Sequence, residues 1–132
     1  FSTWRPSMSK AAELAEFGGG ISSGPNAVEG LAKAYIRRDF NNNVTDSSLN
    51  IASVTDNALG DQTMNISSAM SAATYSMVGM ASRKANSLDF HVVMIHDSAD
   101  PTTTAYRLRC SNLSGSDKDP EFVSTSVDGG LA

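Results

Sequence analysis

The chain has 132 residues, of which 40% are hydrophobic and 18% are charged, and its formal net charge at pH 7 is −4. This length is typical of one domain with a single core. The negative charge argues against nucleic-acid binding, which needs a basic surface. No apolar run reaches the roughly 18 residues that a membrane-spanning helix needs. We therefore expect neither nucleic-acid binding nor membrane insertion.

The N-terminal part of the chain contains the one clear helical pattern. The segment "SMSKAAELAEFGGG" begins with serines that can cap a helix, and its apolar residues recur at helical spacing as far as Phe17. Gly18 can end this helix in the left-handed conformation, and the Gly-rich run up to Gly30 is typical of a linker. We therefore predict that residues 1–30 are a helix and linker that serve as an attachment segment, and that residues 31–132 form a domain.

Beyond residue 31 the hydrophobic period changes to two, the period of a half-buried strand. In "AKAYIRRDF", Ala34, Ile36 and Phe40 fall on one side, and the segment "NNNVTDSS" then breaks the pattern. Six more segments are predicted strands: "SLNIASV", "TMNISSAM", "TYSMVGMAS", "LDFHVVMIHD", "TTAYRLRCSN" and "EFVSTSV". Seven short strands at this spacing predict an all-β fold, an antiparallel β-sandwich of about seven strands preceded by the short helix and linker.

Three of these segments and one loop between them allow finer predictions. "TDNALGDQ" predicts a hairpin loop whose Asn57 and Gly60 tolerate positive φ. "LDFHVVMIHD" is apolar on both faces, which predicts a strand covered on both sides. "TTAYRLRCSN" alternates cleanly, and its Cys110, the chain's one cysteine, is predicted to be a small buried hydrophobe. The basic pair in "AKAYIRRDF" predicts a solvated strand end.

The sequence contains no clear catalytic or metal-binding motif. His91 and His96 lie an odd number of residues apart, so in one strand they point to opposite faces and cannot share a metal. The acidic residues Asp97, Asp100, Asp117, Asp119 and Glu121 cluster along the sequence, but solvated turns explain them better than a cation site. We predict no catalytic, cofactor or metal residues and no enzymatic activity.

The middle of the chain is similar to a known phage domain. Residues 50–57 follow the motif "NVSSVTDN", residues 60–66 follow "GDYTVNF", and residues 73–79 follow "ANYAVVG". Residues 119–124 fit a closing acidic element of the type D-P-x-Y-V-S. In these positions the chain resembles the β-rich domain near the C-terminus of tailed-phage tail fibres and related virion proteins, especially those of short-tailed phages of marine bacteria.

The resemblance implies a virion structural protein, a tail fibre or fibre-like appendage that contributes to adsorption to the host surface. Its partners would be other virion proteins, two further copies in a homotrimer, and a host glycan or protein. Capsid decoration, a capsid fibre or a tail adaptor without receptor binding is the alternative. A glycan depolymerase is a third, for which Asp97, Asp100, Asp117 and Asp119 are the candidate acids. We also expect the Met, Ala and aromatic residues to divide between the core and a subunit interface.

The chain departs from the family pattern at two places. Ala58 stands where the family has the Gly of an Asn-Gly turn, which predicts a longer loop pivoting on Gly60. Arg37 and Arg38 replace a polar or apolar continuation of the first strand, which predicts a different neighbour on that edge.

Overall fold

A computed structural model describes residues 31–82 and 88–132 of the chain. Within these ranges the protein is all-β, with eight strands: β1 (Ala32–Asp39), β2 (Val44–Leu49), β3 (Ile51–Ala58), β4 (Asp61–Ile66), β5 (Ser76–Ala81), β6 (His91–Ile95), β7 (Ala105–Asn112) and β8 (Val123–Asp128). The predicted N-terminal helix and Gly-rich linker, and with them the attachment segment over residues 1–30, lie outside the described residues.

The strands form two antiparallel four-stranded sheets. Sheet A has the strand order β2-β1-β8-β5, and sheet B has the order β3-β4-β7-β6. The chain passes from sheet A to sheet B at Asn50, which has a φ of 56° between β2 and β3. The Asn50 side chain fixes this crossing, because its amide donates to the Ser68 carbonyl at 3.0 Å and its oxygen accepts the Ser68 N–H at 2.7 Å.

The described residues contain eight strands where the sequence pattern predicts seven, so the strand count is corrected. The unpredicted strand is β2, whose residues fall partly in the segment "NNNVTDSS" that interrupts the alternation. All six residues of β2 are exposed, so the segment lacks the alternation of buried and exposed residues by which a strand is predicted from sequence. The segment "SLNIASV", predicted as one strand, is divided at Asn50 between two sheets.

The core lies between the two sheets and follows the predicted alternation. In β1, Ala34 and Ile36 point inward, and in β7 the inward residues are Tyr106, Leu108 and Cys110. The buried cysteine confirms its predicted place. Inward side chains of both sheets complete the cluster: Phe40, Met64, Ile66, Met70, Val123 and Val127. The one domain predicted for this region therefore has a single continuous core within the described residues.

Among the described residues, strand β6 is not covered on both sides, which corrects the prediction from its apolar run. It is an edge strand of sheet B, and its outward residues Val92 and Met94 are 38% and 41% exposed. A continuous apolar segment shows that both faces of a strand are apolar, but the neighbours that cover a face come from distant parts of the sequence. The local pattern therefore could not distinguish a central strand from an apolar edge.

The turn between β3 and β4 is shorter than predicted. Ala58 pairs with Asp61, which leaves Leu59 and Gly60 as the whole loop. Gly60 has a φ of +68°, so its predicted role as the pivot is confirmed, whereas Asn57 has no positive φ. A Cβ at Gly60 would lie 2.5 Å from the Cys110 carbonyl oxygen. The tight turn is therefore set by close contact with β7, a contact that the local sequence does not reveal.

Arg38 is buried, in contrast to the predicted solvated strand end. Its Nε donates to Oε1 of the buried Gln62 at 2.6 Å, and its Nη1 donates to Thr45 Oγ1 at 2.8 Å. Burial lowers the pKa of the Arg38 guanidinium, and the nearby carboxylate of Asp56 opposes that shift. Alternation along β1 explains the correction, because it turns Arg38 inward while its neighbour Arg37 points outward.

Candidate functional site on the outer face of sheet A

The outer face of sheet A carries two rows of side chains that point away from the core. Both rows follow from the pairing of β8 with β1 on one side and with β5 on the other. Each row contains a large side chain from β1, a serine from β8 and an apolar side chain from β5: Tyr35, Ser126 and Val78 in one row, and Arg37, Ser124 and Met80 in the next.

These rows form an open groove because serine is small and its neighbours are large. The groove has a volume of about 660 Å³. Its walls are exposed, with Val78 at 62% and Met80 at 78%. Met64 and Met70, by contrast, are buried in the core. The methionines thus divide between core and surface, and a contiguous apolar surface of this kind is typical of an interaction site.

One end of the groove is formed by an arginine against an aromatic ring. The guanidinium carbon of Arg37 lies 4.4 Å from the centroid of the Phe122 ring, within the range of a cation–π contact. Arg37 Nε also lies 3.5 Å from Asp46 Oδ2. Within residues 31–82 and 88–132, Arg37 is the one charged residue that lines the groove. The groove can therefore hold an apolar or planar group between its walls and offer hydroxyl groups from its floor.

The sequence analysis did not identify the groove residues as a site. A signal was present in β5, where two outward positions, Val78 and Met80, are apolar although inward positions already supply the core. The serines of β8 gave a second signal, since small residues alternate there with buried valines. The groove itself depends on the register of three strands that are distant in sequence, and local alternation does not fix that register.

A polar network on the outer face of sheet B was also missed. Asp61 is 8% exposed and accepts a hydrogen bond at Oδ1 from Arg107 Nε at 2.7 Å, while Arg107 Nη2 donates to Oδ2. Asn57 Nδ2 also donates to Asp61 Oδ1 at 3.2 Å, and His96 Nε2 lies 3.5 Å from Oδ2. The hydrogen bond from Arg107 is the main cause that lowers the pKa of Asp61.

The acidic residues considered in the sequence are brought together only in part: Asp97 and Asp117 both approach the Arg109 guanidinium, and Asp117 and Asp119 line one small pocket. Asp117 Oδ1 accepts from Arg109 Nε at 2.7 Å, and Asp119 Oδ1 accepts the Gly60 N–H at 2.6 Å. Asp97 lies 3.2 Å from the ring of His96, Asp100 is exposed, and Glu121 is half-buried. In residues 31–82 and 88–132, no group of three or more His, Cys, Asp or Glu side chains could hold a metal ion.

The two histidines and the cysteine have separate surroundings. His91 Nδ1 lies 3.0 Å from the Ser82 carbonyl oxygen, whereas His96 contacts Asp61 and Asp97. Burial raises the pKa of the Cys110 thiol to about 12, so the thiol stays protonated at neutral pH. None of the described residues belongs to a helix with the length and apolar character that crossing a bilayer requires.

Comparison of the chain with protein-family models, with curated proteins and with solved structures gives no match. The resemblance to the phage domain therefore remains an expectation from the sequence. The geometry of the described surfaces is the other basis for a functional interpretation.

Proposed function

We propose that the chain is a phage virion structural protein, a tail fibre or fibre-like appendage that contributes to adsorption to the host surface. The proposal of a phage virion protein comes from the sequence resemblance, which is sharpest over residues 49–80. The groove on the outer face of sheet A is the structural observation that supports it. In this proposal the protein is not an enzyme, needs no cofactor, and lies in the tail or capsid appendages of the virion.

The groove suits recognition by many weak contacts. Its walls offer apolar and aromatic surface from Tyr35, Met80 and Phe122, and its floor offers hydroxyl groups from Ser124 and Ser126. Sugar rings present apolar faces with hydroxyl edges, and protein loops present similar mixtures. A groove of this composition can hold either kind of host-surface group, and repetition of the appendage on one particle would multiply a weak affinity by avidity.

Binding of the purified chain to bacterial cells tests the adsorption proposal. The fluorescently labelled chain is incubated with host cells of the phage that encodes it, and unlabelled chain is used to compete with adsorption of the phage particles. We expect saturable binding and slower particle adsorption. Phe122→Ala should reduce both, because it removes one wall of the groove and the ring that holds Arg37.

The matched control is Thr55→Ala, which alters an exposed residue of β3 on the outer face of sheet B. This variant should bind and compete like the unaltered chain. Equal binding by all three proteins would show that the groove is not the recognition site. Absence of any binding or competition would contradict the adsorption proposal.

The alternative is a virion part that attaches to other virion proteins without binding a receptor, such as a capsid decoration, a capsid fibre or a tail adaptor. The exposure of Val78 and Met80 favours it, because apolar side chains of this exposure are typical of surfaces covered by another protein. Antibody labelling of intact particles separates the two. Labelled particles whose adsorption is unaffected by the free chain would favour the structural role.

A further inference from the structure

The two edges of sheet A differ in how they are protected against pairing with another strand. The β2 edge carries Asp46, and its pairing with β1 shifts register between Arg37 and Arg38. A charge and an irregular register both discourage strand addition. The β5 edge has the sequence "SMVGMA" without a charged residue, and it pairs with β8 in one continuous register. Among the described residues, β5 is thus a flat and uncharged edge.

The backbone groups that β5 presents at this edge can be assigned from its pairing. The Ser82 N–H donates to the Phe122 carbonyl at 2.7 Å, in the same register that pairs β5 with β8. Backbone bonding alternates along an antiparallel strand. The residues at even positions therefore bond to β8, and Met77, Gly79 and Ala81 direct their N–H and C=O groups away from it.

The sequence around this edge is nearly symmetric. Residues 76–82 read "SMVGMAS", with Gly79 at the centre. Each position has a counterpart of the same character at equal distance from the glycine: Ser76 and Ser82, Met77 and Ala81, and Val78 and Met80. A strand with this pattern can pair antiparallel with an identical strand while matching small polar to small polar and apolar to apolar positions.

We propose that β5 pairs antiparallel with β5 of a second copy of this chain, about a two-fold axis at Gly79. This inference goes beyond the proposed function and does not depend on it. In this pairing Gly79 meets the partner's Gly79, and Met77 meets the partner's Ala81, so the outward backbone groups satisfy one another. Sheet A then continues from one copy into the next as a single antiparallel sheet.

The side chains of the edge fit the same arrangement. Val78 lies opposite the partner's Met80 in a pair without backbone hydrogen bonds, where side chains approach most closely. Val78 and Met80 are 62% and 78% exposed in the single chain. The pairing places the two side chains against each other across the new strand pair and so covers the flank of each that faces the partner.

Charge favours a second copy as the occupant. Identical edges bring identical charges together, which destabilises pairing when the edge is charged. Residues 76–82 contain no charged side chain. The charged residue that lines the neighbouring groove, Arg37, lies on β1, which is two strands away from β5. The two-fold symmetry differs from the three-fold arrangement that the phage resemblance implies, so a mass measurement distinguishes them.

Light scattering after size-exclusion chromatography tests the pairing on the full chain at micromolar concentration. The unaltered protein should have twice the chain mass of 13.9 kDa. Met80→Lys places a charge on the exposed outer side of β5 and should give the mass of one chain, since edge lysines block strand addition. The control Thr55→Lys, on the edge strand β3 of sheet B, should leave the dimer intact. Circular dichroism checks that each variant remains folded.

A disulfide experiment tests the register directly. In the proposed pairing the Cα atoms of residue 78 and the partner's residue 80 lie roughly 4.5 Å apart, which is close enough for a disulfide. The double variant Val78→Cys with Met80→Cys should therefore form a covalent dimer under mild oxidation. Either single variant should stay uncrosslinked, because equal positions lie on a diagonal of about 7–8 Å. The native Cys110 is buried and does not compete.

A dimer that Met80→Lys dissociates and that the double variant crosslinks would support the proposal. A monomeric protein would overturn it and would leave the edge to a strand from another protein. A trimer would also overturn it, since one two-fold contact cannot build a trimer. If the protein is a dimer that Met80→Lys does not dissociate and the double variant does not crosslink, the two copies contact each other through a surface other than β5. None of these results changes the cell-binding test of the adsorption proposal.

Discussion

The outer faces of the two sheets use their side chains in opposite ways. On sheet B, Asp61 lies against Arg107, Asn57 and His96, so its charge and its hydrogen-bonding capacity are met within the domain. On sheet A, the outward side chains form apolar walls with serines between them, and Arg37 makes a 3.5 Å ion pair and lies against an aromatic ring. The outward polar groups of sheet B bond to one another, whereas the apolar side chains on the outer face of sheet A stay exposed.

In the proposed function, this difference separates the groups that stabilise the domain from the groups that bind a partner. Groups that are paired within the domain add to folding stability and have little left to offer a ligand. The exposed apolar walls add little to the stability of a single chain, because their surface stays in water. Substitutions on sheet B should therefore affect unfolding, and equivalent substitutions on sheet A should affect binding.

The largest effect is expected at Gly60, in the turn that joins the first two strands of sheet B. Gly60→Ala places a Cβ 2.5 Å from the Cys110 carbonyl oxygen and 2.8 Å from the Lys118 carbonyl oxygen, and the residue keeps a φ of +68°. Both neighbours are backbone atoms, one in β7 and one at Lys118, whose N–H donates to the Cys110 carbonyl, so they cannot move without disturbing that pairing. We expect a loss of about 3 kcal/mol in the free energy of unfolding, measured with urea.

Gly115→Ala is the control for backbone strain alone. Gly115 has a φ of +81°, but a Cβ there would meet no atom within 4 Å. Its loss should be about 1 kcal/mol, the cost of a left-handed conformation for a residue with a side chain. Similar losses for the two variants would mean that the contact between the β3–β4 turn and β7 does not stabilise sheet B.

The next largest loss of stability is expected when an aspartate is replaced by asparagine, and we compare one aspartate on each outer face. Asp61→Asn on sheet B removes a carboxylate that accepts hydrogen bonds from Arg107, and we expect a loss of about 2 kcal/mol at pH 7. Asp46→Asn on sheet A removes an exposed carboxylate whose partner lies at 3.5 Å, and we expect a loss below about 0.5 kcal/mol. Equal losses would contradict the distinction between the two faces.

The pH dependence of Asp61 follows from the direction of its shift. Its pKa is lowered from the usual 3.8, mainly because Arg107 donates to the carboxylate. The stabilisation is therefore complete above the unfolded-state pKa and is lost as the pH falls through the lower pKa of the folded state. The difference in unfolding free energy between the native protein and Asp61→Asn should be constant above about pH 5 and decrease below about pH 4. A difference that grew on acidification would have the wrong sign.

Much of the fold could be predicted because its core strands alternate. Tyr106, Leu108 and Cys110 are inward at every second position, and Ala34 and Ile36 follow the same rule. Strand β2 could not be predicted in this way, since all of its residues are exposed and its pairing with β1 alone makes it a strand. Edge strands of this kind are specified by their neighbours.

The candidate site was less predictable than the fold. The groove combines residues from β1, β5 and β8, which are brought together by strand register and not by any spacing in the sequence. The contact between Asp61 and Arg107 joins residues 46 positions apart. Outward residues on different strands become neighbours only when the order of strands is known, so polar pairs and apolar walls could not be assigned from local patterns.

A small effect on stability is also expected at Arg37, although it lies at the end of the groove. Its side chain is 53% exposed, and its ion pair with Asp46 and its contact with Phe122 are both open to water. Arg37→Ala should therefore reduce the free energy of unfolding by at most about 1 kcal/mol. The reduction should become smaller as salt is added, since exposed ion pairs are screened.

The same variant should weaken cell binding by the labelled chain, because among the described residues Arg37 is the one charge lining the groove. Arg107→Ala gives the opposite pattern, since Arg107 holds the buried Asp61 on sheet B and lies outside the groove: unfolding should become easier and binding should be unchanged. If Arg37→Ala reduced the free energy of unfolding as much as Arg107→Ala, the outward side chains of sheet A would stabilise the domain as those of sheet B do. If Arg37→Ala strongly destabilised the protein and left cell binding unchanged, the groove would not be the recognition surface. The exposed edge of β5 would then be the remaining surface that a partner could bind.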